Sequence, residues 1–70
     1  MIFYDFIASA SFDRFVELLE RAANHPKLIK SNLDSMIDQA IKYKYKKVLH
    51  FQDLREIFVD ILQKYEVNLF

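Results

Sequence analysis

The chain contains no glycine. Tight β-hairpins turn through positive φ, where glycine or asparagine is favoured, so a β-rich fold without glycine has no ready way to reverse its strands. Helices need such a residue only at their C-terminal ends, and asparagine serves there too. The 70 residues therefore point to an all-α fold. Their number allows a single domain, residues 1–70.

A chain this short buries little surface, and its core is marginal unless something reinforces it. Cysteine is absent, which removes disulfides and thiolate metal sites. Close helix packing or association with another chain remains. Hydrophobic residues make up 53% of the sequence and aromatic residues 16%. That is above the usual apolar share of roughly 45–50%, a figure in which glycine is normally counted. Two readings account for the excess: a compact core rich in Phe and Tyr, or apolar surface that meets a partner.

Ten basic and ten acidic side chains cancel. Strong non-specific nucleic-acid binding rests on a basic excess, so this balance weighs against it. No apolar run approaches the roughly 20 residues of a membrane span. The opening residues lack the basic start and cleavage site of a signal peptide, and Asp5 interrupts their apolar stretch. A reducing, cytoplasmic setting without a membrane partner is expected.

Periodicity predicts three amphipathic helices. Residues 1–8 are apolar without a clear period and form either a short extra N-terminal helix or an arm. Ser9 and Ser11 then offer capping oxygens. Phe12, Phe15, Val16, Leu19, Ala22 and Ala23 follow the i, i+3, i+4, i+7 stripe of a first long helix. Glu17 and Arg21 stand four apart on its outer side, in the favourable order for a pair. The helix should end near Asn24, because His25 precedes Pro26 and a residue before proline avoids helical geometry.

Ser31 or Asn32 is expected to cap the next helix, with Asp34 completing a loose capping box. Its stripe is Leu33, Met36, Ile37, Ala40 and Ile41. Helical spacing then places Lys44 near the middle of the apolar face. Either the helix ends near Tyr43 or Lys44 reaches outward on its long stem. A local extended stretch over residues 41–47 is a weaker alternative. The clearest pattern is Phe51, Leu54, Ile57, Phe58, Ile61, Leu62 and Tyr65, with Asp53 in the first turn and Lys64 in the last to complement the helix dipole. Three such helices with short connections make a three-helix bundle.

No catalytic set emerges. A nucleophile, or an acid and base, must be held in a pocket that a chain this small can barely enclose. The serines fall at expected caps, and no Gly-rich loop exists to cradle phosphate. His25 and His50 lack a second His or a Cys at metal-ligand spacing, so neither a metal nor another cofactor is expected.

Two segments stand out as candidate contact sites. Lys42, Tyr43, Lys44, Tyr45, Lys46 and Lys47 combine cations with aromatics. They suit nucleic acid, through phosphate contacts and base stacking, or an acidic protein, and Lys27 and Lys30 would extend such a patch. Read without a ligand, the same lysines complement a helix C-terminus. The second candidate is the apolar ends: Ile2, Phe3, Phe6 and Ile7 at one terminus, Val67, Leu69 and Phe70 at the other. Either the ends pack on the bundle, or they contact a partner protein or a second copy of the chain.

The run from Leu18 to Leu28, LLERAANHPKL, resembles the opening of the small nitrogen-fixation-associated helical domains common in cyanobacteria, which also serve as leader segments of ribosomal peptide natural products. Gln52-Asp53-Leu54 is similar to the polar pair and leucine near that domain's end. The resemblance covers residues 15–57 at most. It departs from the family pattern in lacking the usual glycine ahead of the aromatic, where Lys44 stands, and the double-glycine cleavage site. It implies a small recognition module with no catalytic residues. The apolar excess, the aromatic termini and the lack of a catalytic set lead to the functional expectation of a non-catalytic protein-interaction module acting as a regulator, inhibitor or adaptor. A nucleic-acid-binding regulator using residues 42–47 is the alternative.

Overall fold

The structure, a computed structural model, describes residues 2–69, with side chains placed from residue 6 to residue 69. It contains helix α1 (Ile2–Ser9), α2 (Phe12–Ala23), α3 (Lys30–Lys46) and α4 (Phe51–Lys64). No strand occurs among the described residues, so the fold is all-α with four helices. Of residues 1–8, open between helix and arm on sequence grounds, residues 2–8 enter α1, and Met1 lies outside the described residues. None of the described helices is long and apolar enough to cross a membrane. The radius of gyration is 11.2 Å, close to the roughly 11 Å of a compact chain this long. The helices therefore pack rather than splay.

The joint between α1 and α2 is two residues, Ala10 and Ser11; of the two serines expected as N-caps, Ser11 takes that position and Ser9 instead ends α1. Ser9 Oγ donates to the Phe6 carbonyl at 3.1 Å, closing the end of α1. Ser11 sits at the N-cap of α2, where its Oγ accepts from the Arg14 N–H at 3.2 Å. After α2, Pro26 occupies the second position of a turn closed by the Leu28 N–H and the His25 carbonyl, 3.2 Å apart. Leu28 is thereby carried into the core.

Several local expectations need correcting. Helix α3 begins at Lys30 rather than after Ser31 or Asn32, and its N-cap Ile29 makes no side-chain cap bond. Residues 29–31 are exposed, so water can satisfy their first-turn N–H groups while the buried Leu28 and Leu33 set the entry. Glu17 pairs with Arg14 at 2.9 Å instead of with Arg21. Arg21 is directed to the C-terminal tail, its Nη1 3.4 Å from the Leu69 carbonyl. No extended stretch forms over 41–46, since α3 runs through Tyr43 to Lys46. On α4, Ile57 is exposed while Val59 is buried. The cause is α1, which packs against α4 and covers the Val59 side.

The core comprises Ile7 from α1, Phe15, Leu18, Leu19 and Ala22 from α2, Leu33, Met36 and Ala40 from α3, and Leu54, Phe58, Val59 and Leu62 from α4. Phe15 is fully buried and meets Phe58 edge-on, with centroids 5.6 Å apart at 84°. Such edge-to-face pairs add about 1 kcal/mol beyond area burial. No polar or charged residue is buried among the described residues.

With no glycine available, two non-glycine residues take the left-handed conformation. Lys47 caps α3 at φ 51°, its N–H donating to the Tyr43 carbonyl at 2.9 Å. Glu66 follows α4 at φ 52°. There the Val67 N–H reaches the Leu62 carbonyl at 2.9 Å and the Glu66 N–H reaches the Gln63 carbonyl at 3.1 Å. This is the Schellman arrangement, completed by the apolar contact that buries Val67 with Leu62. Replacing either left-handed residue by glycine relieves the Cβ clash, so Lys47→Gly and Glu66→Gly should each raise stability by about 0.5–1 kcal/mol. Urea unfolding followed by circular dichroism measures this, and a loss of stability in both variants would contradict the assignment.

Candidate functional site

The Lys/Tyr segment occupies the last turns of α3, and the helix distributes its side chains around the axis. Lys42 pairs with Asp38 at 3.2 Å on one side. Tyr43 turns inward, stacked on Phe12 and Phe51 with centroids 6.0 and 5.5 Å away. Its ring is thus engaged with two others and only half-exposed. Lys44 lies on the opposite flank, its Nζ 6.0 Å from the Phe12 ring centroid and 5.9 Å from that of Tyr45. Tyr45 is 75% exposed. Lys46 is exposed and Lys47 forms the cap. Lys30 opens the same helix, about 18 Å from Lys42 at 1.5 Å per residue. Lys27 and Lys30 therefore stand at the far end of α3 and do not enlarge the Lys42–Lys47 cluster.

The apolar ends divide. Ile7 has no exposed surface and belongs to the core, so it offers nothing to a partner. Val67 is buried and Leu69 packs half-buried against the core, held by Arg21. Phe6 is 37% exposed, with the Arg14 guanidinium 5.4 Å above its ring. The side chains of Ile2 and Phe3, and Phe70 as a whole, lie outside the described residues. The described C-terminal apolar residues thus dock on the chain's own helices.

A different surface brings two exposed apolar side chains, Ile41 and Tyr45, together with half-buried ones. Between α2 and α3 runs a groove of about 250 Å³ lined by Phe12, Val16 and Glu20 from α2 and by Ile37, Ile41, Lys44 and Tyr45 from α3. Ile41 is 49% exposed. Phe12, Val16 and Glu20 are spaced four apart, as are Ile37, Ile41 and Tyr45, so each helix contributes one ridge along a wall. Sequence reading placed Val16, Ile37 and Ile41 inside the core stripes. The missed signal was their position at the stripe edge.

Two other features complete the surface. Arg55, unremarked in the sequence, spans the top of α4. Its guanidinium lies 4.2 Å from the Phe51 ring centroid, and Nη1 donates to the Ala10 carbonyl at 2.9 Å. Its Nε has no hydrogen-bond partner among the described residues and lies beside a small hollow of about 50 Å³ bounded by Ala8, Gln52, Glu56 and Val59. A shallow hollow at the α3–α4 connection is lined by Tyr43, Lys47, Val48, Leu49 and His50. His50 is the N-cap of α4 without a side-chain cap bond, and His25 Nδ1 accepts from the Lys27 N–H at 3.2 Å. Among the described residues no three His, Cys, Asp or Glu side chains converge as metal ligands would.

Comparison with known proteins found no matching family model, no matching curated protein and no matching solved structure.

Arg55 is the side chain that ties the α1–α2 joint to α4. Arg55→Met keeps much of the stem and removes the hydrogen bond, and should cost about 1–2 kcal/mol. Amide exchange in α1 should accelerate more than in α2 or α3. Uniform acceleration across all four helices would show that Arg55 contributes only to global stability.

Proposed function

We propose that the chain is a small non-catalytic protein-interaction module whose docking site is the α2–α3 groove. One observation carries the reading: two parallel ridges of exposed or half-exposed apolar side chains, Phe12–Val16 and Ile37–Ile41–Tyr45, enclose a trough. A trough between i, i+4 ridges accepts the ridge of a third helix. The partner's chemistry follows, an amphipathic helix whose apolar anchors fill the trough. We read the architecture as a three-helix bundle, α2 to α4, with α1 as a fourth, shorter helix. The resemblance of Leu18–Leu28 to nitrogen-fixation-associated domains supports the same class of module, a regulator or adaptor without catalytic residues.

Val16 and Ile41 are the residues to change, because they line the trough without belonging to the buried core. Val16→Glu and Ile41→Glu should leave helix content intact and shift stability by less than about 1 kcal/mol. Each should weaken partner binding by at least about tenfold, as expected of interface anchors. The tagged chain and both variants are applied to lysate of the native host with and without nuclease treatment. Proteins retained in fixed ratio by the unaltered chain and lost by both variants support the groove. Retention that both substitutions leave unchanged removes it. Material that disappears with nuclease and binds with steep salt dependence would instead transfer the function to Lys42, Lys44, Lys46 and Lys47 as nucleic-acid contacts.

A further inference from the structure

The trough carries charge of opposite sign at its two ends. Glu20 and Lys44 are the charged side chains in its lining. Lys44 sits beside the Phe12 ring, whereas Glu20 follows Phe12 by two helical turns. The two charges are therefore on the order of 12 Å apart along the trough, at 1.5 Å per residue. Val16 and Ile41 occupy the apolar stretch between them.

A surface with an apolar centre and charges of opposite sign at its ends is complementary to itself. Rotation by half a turn about an axis through the Val16–Ile41 centre brings Lys44 of one copy onto Glu20 of the other, and the converse pair forms by symmetry. Val16 and Ile41 then meet their own counterparts near the axis, where water is excluded. The ten basic and ten acidic side chains leave no net charge to drive two copies apart. A dimer would also enlarge the small apolar core that a chain of this length can build alone. Resting on the docking reading above, we propose that the occupant of the trough is a second copy of this chain, bound as an isologous dimer with two Glu20–Lys44 pairs across the interface.

Charge exchange tests both the occupant and its orientation. Sedimentation equilibrium should show a concentration-dependent dimer for the unaltered chain. Glu20→Lys gives a copy with two cations in the trough, and Lys44→Glu gives one with two anions. Each variant alone should dimerise about tenfold more weakly, because both pairs become repulsive. Mixing the two should restore dimers near the original affinity, since every cation then faces an anion. The chain carrying both substitutions should likewise recover. Both positions are exposed, and circular dichroism verifies that the variants remain folded. A chain that stays monomeric at millimolar concentration overturns the dimer. A mixture no tighter than either variant alone overturns it as well. If either happens while Val16→Glu and Ile41→Glu still abolish retention of a lysate protein, the docking reading survives with a different occupant.

Discussion

The Phe51 ring is where the helices are fastened to one another. It lies 5.3 Å from Phe15 and 5.5 Å from Phe12, both on α2, and 5.5 Å from Tyr43 on α3. The Arg55 guanidinium covers it from α4 at 4.2 Å and reaches the Ala10 carbonyl at the α1–α2 joint. Three helices, α2, α3 and α4, are thus referred to one aromatic ring, and Arg55 links it to the joint that precedes α2. A chain without disulfides, in which no metal-ligand cluster is found among the described residues, depends on such dense contacts, because large aromatic rings bury more surface per residue than any aliphatic side chain. Phe51 opens α4, so the aromatic cluster also determines where that helix starts relative to the end of α3.

This fastening explains the shape of the α3–α4 connection. Tyr43 must face Phe12 and Phe51, and α3 continues for one further turn before reversing. Lys47 then adopts φ 51° to end the helix, in a chain that has no glycine for the task. Val48 and Leu49 are left outside, 62% and 37% exposed. The Lys/Tyr segment is accordingly divided by packing: one tyrosine is structural, one is exposed, and the lysines radiate from the helix. A run that reads as one basic patch in the sequence becomes several separate environments once wound at 100° per residue.

Much of the fold was legible from the chain itself. The absence of glycine identified the class, Pro26 marked the end of α2, and the stripe of α4 was correct at Leu54, Phe58 and Leu62. What was not legible depended on α1, whose residues have no period. Its seat on α4 buries Val59, leaves Ile57 outside and gives Arg55 a role, none of which follows from the pattern within α4 alone. The start of α3 at Lys30 was hidden for a different reason: Ser31 and Asn32 offered capping oxygens, whereas the burial of Leu28 set the entry and left Ile29 at the N-cap. The groove was hidden by the stripes themselves. Val16, Ile37 and Ile41 obey the helical period perfectly well, and only the packing of neighbours separates a covered position from an uncovered one.

Among the described residues, α1 is seated on α4 rather than on that groove. A helix joined to α2 by two residues can fold back on either flank of the α2–α3–α4 assembly. The Arg55 hydrogen bond to Ala10 and the burial of Ile7 hold it on the α4 side. The opposite flank, where α2 meets α3, is lined by no described side chain of α1, and the C-terminal tail is held elsewhere, at Arg21 on the outer side of α2. An uncovered apolar trough is ordinarily a liability in solution. Here its ridges are interrupted by Glu20 at one end and Lys44 at the other, and both would be buried unpaired by a partner that brought apolar groups alone. Such charges make indiscriminate association costly and reward a partner whose charges match theirs. In the proposed dimer, the same two residues serve both as a filter against unspecific association and as the register marks of the pairing.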